Sequence, residues 1–256
     1  MFIDTHAHTY TDKFKDDLDE VIALSLSANV DKVLLPNIDS LTIDKLFSLC
    51  DSYPEHFYPM VGLHPCSVND AYKNELNKLE PYLEDERVIA IGETGTDLYW
   101  DQTYKDQQFQ ALEIQISWAL DLDLPIVLHS RDSIDMSIDI ISKFQNGSLR
   151  GVFHCFGGSA QQAQQIMDLG FFMGIGGTVT FKSNKALRET LIHVPLTSIL
   201  LETDAPYLTP HPYRGKRNNS SYIPLIGETL SNIYEEPIEN IAKVTSLNAS
   251  KLFGLS

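Results

Sequence analysis

Short apolar runs recur along the chain and alternate with longer amphipathic stretches. The stretches at residues 16–28, 107–122 and 159–170 carry apolar residues at helical spacing. The third begins at Ser159, a preferred helix N-cap, and ends in glycine. The pattern therefore predicts eight strands that alternate with helices, the strands covering residues 2–8, 32–36, 58–65, 88–93, 125–131, 151–156, 171–179 and 199–204.

Strands that alternate with helices form a parallel sheet, and eight of them in 256 residues fit one closed (β/α)8 TIM barrel. A doubly wound open sheet is the alternative. No glycine-rich phosphate loop follows the first apolar run, so we favour the barrel. We expect residues 1–256 to form a single α/β domain.

The composition supports a folded protein, since 43% of the residues are hydrophobic. No apolar run approaches the length of a membrane span, and no basic segment followed by a long apolar run stands at the start. The three cysteines form no pairing pattern, so we expect free thiols and a cytoplasmic location.

The formal net charge of −16 argues against a broad basic surface that coats nucleic acid. The acidic excess lies entirely in residues 1–128. After the last predicted strand, residues 205–227 contain no acid, and Arg214, Lys216 and Arg217 stand together in YRGKRN. This loop leaves room for a local anionic ligand.

Residues capable of chemistry stand where the predicted strands end. In a barrel, the carboxyl ends of all strands open on one face, where active sites are built. Alternation along a strand also places His129 with Arg131, and Glu202 with Asp204, on the same side. We therefore expect one pocket to contain the strand-end residues His6, His8, His64, Glu93, His129, His154 and Asp204.

Such a set exceeds what one zinc ion needs and suits two divalent metal ions bridged by a carboxylate, with a hydroxide between them as the nucleophile. Mixed imidazole and carboxylate ligation favours Zn²⁺, Mn²⁺ or Fe²⁺ over Mg²⁺, but the metal in the cell need not follow that preference. The native metal therefore stays open.

The motifs FIDTHAH (2–8), GLHP (62–65), IGETGTD (91–97), PIVLHSRD (125–132), FHCFGGS (153–159) and ETDAPYLTPHPYRGKRN (202–218) resemble those of the TatD family of metal-dependent deoxyribonucleases, within the amidohydrolase-like barrels. The likeness runs the length of the chain. It implies a (β/α)8 barrel that hydrolyses DNA phosphodiesters, commonly as a 3′→5′ exonuclease.

Carried over by position, the resemblance implies that His6 and His8 hold one metal with Asp204. His129 and His154 would hold the second, and Glu93 would bridge the two. Glu93 and Asp204 are thus the expected catalytic residues, and Asp204 could also orient or deprotonate the attacking water.

His64 and Arg131 match family positions that meet the substrate phosphate. Because the loop with Arg214, Lys216 and Arg217 follows the eighth strand, we also consider it a possible substrate contact. Trp100 is compatible with base stacking and with loop anchoring alike.

Two acids near the ligands have open roles. We expect Asp4, below the histidines, either to accept a hydrogen bond from a ligand imidazole or to make a plain hydrogen bond in the barrel floor. Glu202 shares the face of Asp204 and either takes part directly or holds a neighbouring side chain. Departures from the family pattern, usually GEIGLD, are Thr94 and Thr96 in GETGTD, together with Asn219 after RGKRN.

The sequence therefore predicts a monomeric two-metal phosphodiesterase acting on single-stranded or frayed DNA ends, without a membrane or an obligate protein partner. The first rival is an amidohydrolase-type enzyme that uses the same metals on another bond, such as a lactone or a D-aminoacyl-tRNA ester. The second is a non-catalytic metal-binding adaptor, which the retention of every ligand disfavours.

Overall fold

The structure of the chain, a computed structural model, describes residues 1–255. Its strands are β1 (Phe2–Asp4), β2 (Val30–Pro36), β3 (Phe57–Met60), β4 (Ile91–Asp97), β5 (Ile126–Arg131), β6 (Gly151–Phe153), β7 (Phe172–Ile175) and β8 (Ile199–Leu201). Its helices are α1 (Leu18–Ser27), α2 (Ile43–Ser52), α3 (Tyr72–Leu79), α4 (Lys105–Asp121), α5 (Ile134–Phe144), α6 (Ala160–Asp168), α7 (Lys185–Leu191), α8 (Ile223–Tyr234) and α9 (Ile238–Phe253). Among these described helices, none is long and apolar enough to cross a bilayer.

The strands form a closed parallel barrel. Continuous pairing joins β1 to β3 and β4 to β8. Two seams close the ring through backbone hydrogen bonds. The Gly92 amide donates to the Val61 carbonyl at 2.9 Å, and the Thr5 amide donates to the Leu201 carbonyl at 3.0 Å. The predicted (β/α)8 barrel is confirmed, and the open-sheet alternative is wrong.

An apolar floor lies inside the barrel. It is separate from the larger hydrophobic cluster that includes residues from both the strands and the surrounding helices. The end of α9 contributes Leu252 and Phe253 to this floor, which closes one end of the barrel. The polar pocket therefore opens only at the carboxyl ends of the strands. The strand-side members of the floor are Ile3, Leu34, Met60, Ala90, Val127, Val152 and Leu200.

The first strand is shorter than the apolar run predicts, and the fourth extends further. β1 ends at Asp4, so His8 lies beyond it, yet the His8 amide still donates to the Ala205 carbonyl at 2.7 Å. An isolated parallel bridge between Ala7 and Ala205 is the pairing that remains beyond β1 here. β4 instead continues past Glu93 to Asp97. Polar side chains thus reach the mouth both from strands and from the loops that follow them.

Local capping agrees with the sequence pattern at α6. The Ser159 hydroxyl accepts from the Gln162 amide at 3.3 Å, and the Gln162 side chain accepts in return from the Ser159 amide at 2.8 Å. Asn219 has a similar role, because its Oδ1 accepts from the Ser221 amide at 3.0 Å and caps a short 3-10 turn. The departure at Asn219 is therefore a local capping feature.

Thr94 and Thr96 face the helices outside the barrel, on the side of β4 opposite to Glu93. The Thr94 hydroxyl accepts from Nε2 of Gln115 in α4 at 2.6 Å. The Thr96 hydroxyl donates to Oγ of Ser133, before α5, at 2.8 Å. Both hydroxyls therefore have hydrogen-bond partners on the outer side of the sheet. These two departures from the family pattern affect the packing of β4 against its outer neighbours and not the contacts of Glu93.

Replacing Thr96 with valine should lower the free energy of unfolding by about 1–3 kcal/mol, because the buried Ser133 and Ser137 hydroxyls each lose a partner. Urea unfolding followed by circular dichroism measures this change. Thr229→Val is the matched control, since its hydroxyl only returns to the Leu225 carbonyl of its own helix. It should change stability by less than ~0.5 kcal/mol. Equal stability of Thr96→Val and the unsubstituted protein would contradict the expectation.

Candidate metal-binding site

The carboxylate of Glu93 lies at the centre of the barrel mouth and is only 1% exposed. Its two oxygens face different imidazoles. Oε2 lies 3.1 Å from Nε2 of His6 and 3.5 Å from Nε2 of His8. Oε1 lies 2.9 Å from Nδ1 of His129. One carboxylate therefore has a separate donor set at each of its oxygens.

The first donor set, defined as His6, His8, Asp204 and Oε2 of Glu93, is compact. Oδ1 of Asp204 lies 3.6 Å from Nε2 of His8 and 4.0 Å from Nε2 of His6. Ligands bound tetrahedrally at zinc distances lie about 3.4 Å from one another. Nδ1 of His6 is buried without a hydrogen-bond partner among residues 1–255. These spacings and donor types fit one divalent cation.

The second donor set, defined as His129, His154 and Oε1 of Glu93, has fewer protein atoms. Nε2 of His154 lies 3.7 Å from Oε1, and the rings of His129 and His154 are nearly parallel at 6.1 Å. Three protein donors around a cation leave a position for water or substrate, as catalytic metal sites require. The second set is therefore a candidate for a further cation through the spacing of Oε1 from each imidazole, and it would leave a coordination position open.

His64 approaches the same oxygen but presents a proton to it. Its Nδ1 accepts a hydrogen bond from the Cys66 amide at 3.0 Å, so that nitrogen carries a lone pair. In the neutral ring the proton then resides on Nε2, which lies 3.4 Å from Oε1 of Glu93. His64 is therefore a hydrogen-bond donor to the pocket, although its position alone would also allow ligation.

Tyr10 holds His8 in the opposite tautomer. The Tyr10 hydroxyl donates to the Pro36 carbonyl at 2.6 Å, so it accepts from Nδ1 of His8 at 2.9 Å. The lone pair of Nε2 consequently points at Glu93 and Asp204. Tyr10 was not among the residues predicted for the site, although its position two residues after His8 is a usable signal.

Asp97 has the same effect on His129. Its Oδ2 accepts from Nε2 of His129 at 2.9 Å, which leaves the Nδ1 lone pair free to face Glu93. Burial opposes ionisation of Asp97, but the hydrogen bonds from His129 and from the Trp100 and Tyr99 amides outweigh it and lower its pKa to about 2. Asp97 was not among the predicted site residues either, although it lies four residues after Glu93 on the same face of β4.

Glu202 contacts His154 from behind. Its Oε1 lies 2.9 Å from Nδ1 of His154 and accepts from the Cys155 amide at 2.6 Å. Gly174 makes room for this carboxylate, because a Cβ there would lie 2.1 Å from Oε2 of Glu202. Glu202 thus holds a neighbouring side chain, one of the two roles that the sequence left open.

Asp4 contacts the backbone and a hydroxyl, as the barrel-floor alternative expected, rather than an imidazole. It accepts from the Thr203 hydroxyl at 2.6 Å, the Thr203 amide at 2.9 Å and the His6 amide at 3.3 Å. Burial raises the pKa of Asp4 to about 7, against the effect of these hydrogen bonds. Asp4 therefore ties the segment with His6 to the segment with Asp204.

A protonated imidazole, that of His154, balances part of the charge of the buried carboxylates. Burial opposes protonation of His154, but the charges of Glu202 and Glu93 outweigh it and raise its pKa to about 10. Burial also opposes ionisation of Glu93, yet the surrounding imidazoles of His64, His6 and His154 hold its pKa well below its usual range. A bound cation would take over this positive charge and release protons.

Basic residues around the mouth differ in their availability. Arg131 ends β5 and is exposed. Arg217 is instead engaged by Asp17, whose Oδ1 accepts from its Nη1 at 2.9 Å. The guanidinium of Arg214 covers the ring of Phe181 at 3.6 Å, and the ammonium group of Lys216 lies 5.4 Å from the ring of Tyr213. The three-residue basic loop is therefore no uniform cationic patch.

Sequence and structure comparisons agree on one family. The family model described as TatD-related DNase matches residues 3–254. A metal-dependent hydrolase of Bacillus subtilis, YabD, is 36% identical over 100% of both chains. The 3′-5′ ssDNA/RNA exonuclease TatD of Pantoea ananatis is 30% identical over 95% of both chains.

The solved structure of YjjV, a TatD homologue from Escherichia coli, superimposes with a TM-score of 0.94 at 31% identity. The match covers 100% of this chain and 98% of that one. The fold and the sequence thus lead to the same assignment, and the chain belongs to the TatD family.

Proposed function

We propose that this TatD-family metal-dependent hydrolase cleaves DNA phosphodiesters, removing nucleotides 3′→5′ from single-stranded or frayed ends. The observation that carries the proposal is the division of the Glu93 carboxylate between two donor sets. The description of the family as TatD-related DNase supports it, as does the exonuclease name of the Pantoea relative.

In this proposal His6, His8 and Asp204 hold one divalent cation, His129 and His154 hold a second, and Glu93 lies between them. Mg²⁺, Zn²⁺, Mn²⁺ and Fe²⁺ are the candidates. When bound, such ions would neutralise phosphoryl oxygens and lower the pKa of a water molecule.

The side chains of this chain supply the rest of the chemistry. Nε2–H of His64 donates to a phosphoryl oxygen, because its other ring nitrogen is committed to accepting from Cys66. The exposed Arg131 guanidinium neutralises the phosphate at the rim. Asp204, beside the first donor set, orients the attacking water and accepts its proton.

The charge of the chain limits how much nucleic acid it can hold. A formal net charge of −16 repels a long duplex, so the contacts are confined to a strand end. Binding of this kind involves few phosphates and weakens as salt increases. The acidic body is therefore compatible with an end-directed exonuclease.

Another bond in the same site is the main rival, and a lactone or a D-aminoacyl-tRNA ester would meet the same donors. Arg131 and the donating His64 favour a scissile phosphodiester, which carries a negative charge, over the uncharged carboxylic ester bond of these substrates. Hydrolysis of simple esters or D-aminoacyl-tRNA, with DNA left intact, would overturn the proposal.

Glu93→Gln should lower kcat/KM on single-stranded DNA by at least roughly a thousandfold, because the neutral amide removes the negative charge that both donor sets share. Excess chelator should abolish the activity of the unsubstituted protein. Oligonucleotides labelled at the 3′ or the 5′ end report the direction of cleavage. Glu113→Gln, an exposed glutamate on α4, is the matched control and should retain activity. Full activity of Glu93→Gln would refute the mechanism.

Elemental analysis should find about two equivalents of metal per chain in the purified protein and about one in His6→Ala, because only the first donor set loses an imidazole. His193→Ala, at an exposed histidine, should retain both equivalents. One equivalent in the unsubstituted protein would argue for a mononuclear centre. An unchanged content in His6→Ala would remove His6 from the ligands.

His64→Ala should lower kcat/KM on DNA by roughly 10- to 100-fold and leave the metal content unchanged, because the side chain loses a donor to an anion and no ligand. His64→Gln, whose amide can still donate, should recover part of the activity. Steady-state kinetics and elemental analysis of the same preparations test both statements. Loss of metal from His64→Ala would show that Nε2 is a ligand instead.

A further inference from the structure

Two large aromatic side chains stand exposed together at the barrel mouth. Tyr99 is 53% exposed and Trp100 is 69% exposed, and they follow directly on β4. Their ring centroids lie 4.9 Å apart in an edge-to-face arrangement. An exposed aromatic pair contributes little to the core, and its ring surface is available for contact with a ligand.

Arg131 stacks on the same pair. Its guanidinium lies 3.8 Å from the ring centroid of Tyr99 and 5.1 Å from that of Trp100. A guanidinium held face-on to a ring keeps its N–H edges free for an anion. Aromatic faces beside a cation have the chemistry that single-stranded nucleic acids meet in their binding proteins.

A single carboxylate joins this aromatic turn to the candidate metal-binding site. Oδ1 of Asp97 accepts from the amides of Tyr99 at 3.0 Å and Trp100 at 3.2 Å. Oδ2 of the same side chain accepts from His129. The aromatic pair is thus held by the same carboxylate that orients His129 of the second donor set.

We propose that Tyr99 and Trp100, with Arg131 against them, form a stacking platform for an unpaired nucleobase of the strand whose phosphate lies at Glu93. This inference rests on the proposed function, because it assumes a nucleic-acid substrate. It adds the element that recognises the base, whereas His64 and the two donor sets address only the phosphate. A duplex end must fray to reach the platform, which is consistent with single-stranded ends as the substrate.

The test compares a single-stranded DNA with a matched strand whose terminal residues are abasic. The unsubstituted protein should cleave the base-bearing strand with a kcat/KM about tenfold higher, as expected for one base–aromatic stack. In Trp100→Ala this preference should disappear, and Trp100→Phe should retain most of it. Trp118→Phe, at a half-buried position of α4, is the matched control and should keep the preference. An undiminished preference in Trp100→Ala overturns the proposal.

A binding measurement separates the platform from the nuclease activity. The chain has two tryptophans, so Trp118→Phe leaves Trp100 as the only indole reporter. A phosphorothioate-linked single strand, which resists cleavage, should quench its fluorescence, and the abasic strand should not. Equal quenching by both strands overturns the platform. If the protein cleaves neither strand with any metal, the proposed function fails, and base-dependent quenching alone still supports the platform.

Discussion

A carboxylate that is removed from water is stable only among positive or hydrogen-bonding groups, and Glu93 meets this constraint with imidazoles. His6, His64 and His129 come from segments far apart in the chain. The closed ring of strands brings these segments to one point. The barrel, its seams and its apolar floor thus serve the assembly of one buried anion and its partners.

An outer layer of hydrogen bonds decides what each imidazole offers. Tyr10 and Asp97 engage the outward nitrogens of His8 and His129, so the inward nitrogens present lone pairs. The Cys66 amide does the reverse at His64 and makes it a donor. The histidines of the pocket therefore have two chemical roles, either to offer a lone pair or to donate a hydrogen bond. Neighbouring residues that are not in the donor sets decide which role each histidine has.

Much of the fold and of the donor sets could be predicted from the sequence, because strand periodicity and residue type are local properties. The alternation of apolar runs and helices was sufficient to predict the barrel, and the position of His129 at the end of its strand was sufficient to place it in the pocket. The pairing of Arg217 with Asp17 was not, since the partners lie far apart in the chain. Nor was the role of Asp97, because its contact with His129 depends on the register between β4 and β5.

Gly174 shows that the site also depends on a residue without a side chain. The Glu202 carboxylate occupies the space that any Cβ at this position would need. Drift to alanine would push Glu202 away from His154, although no ligand had changed. The site therefore depends on an absence of atoms at position 174 as well as on its ligands, a constraint that an inventory of metal-binding residues would overlook.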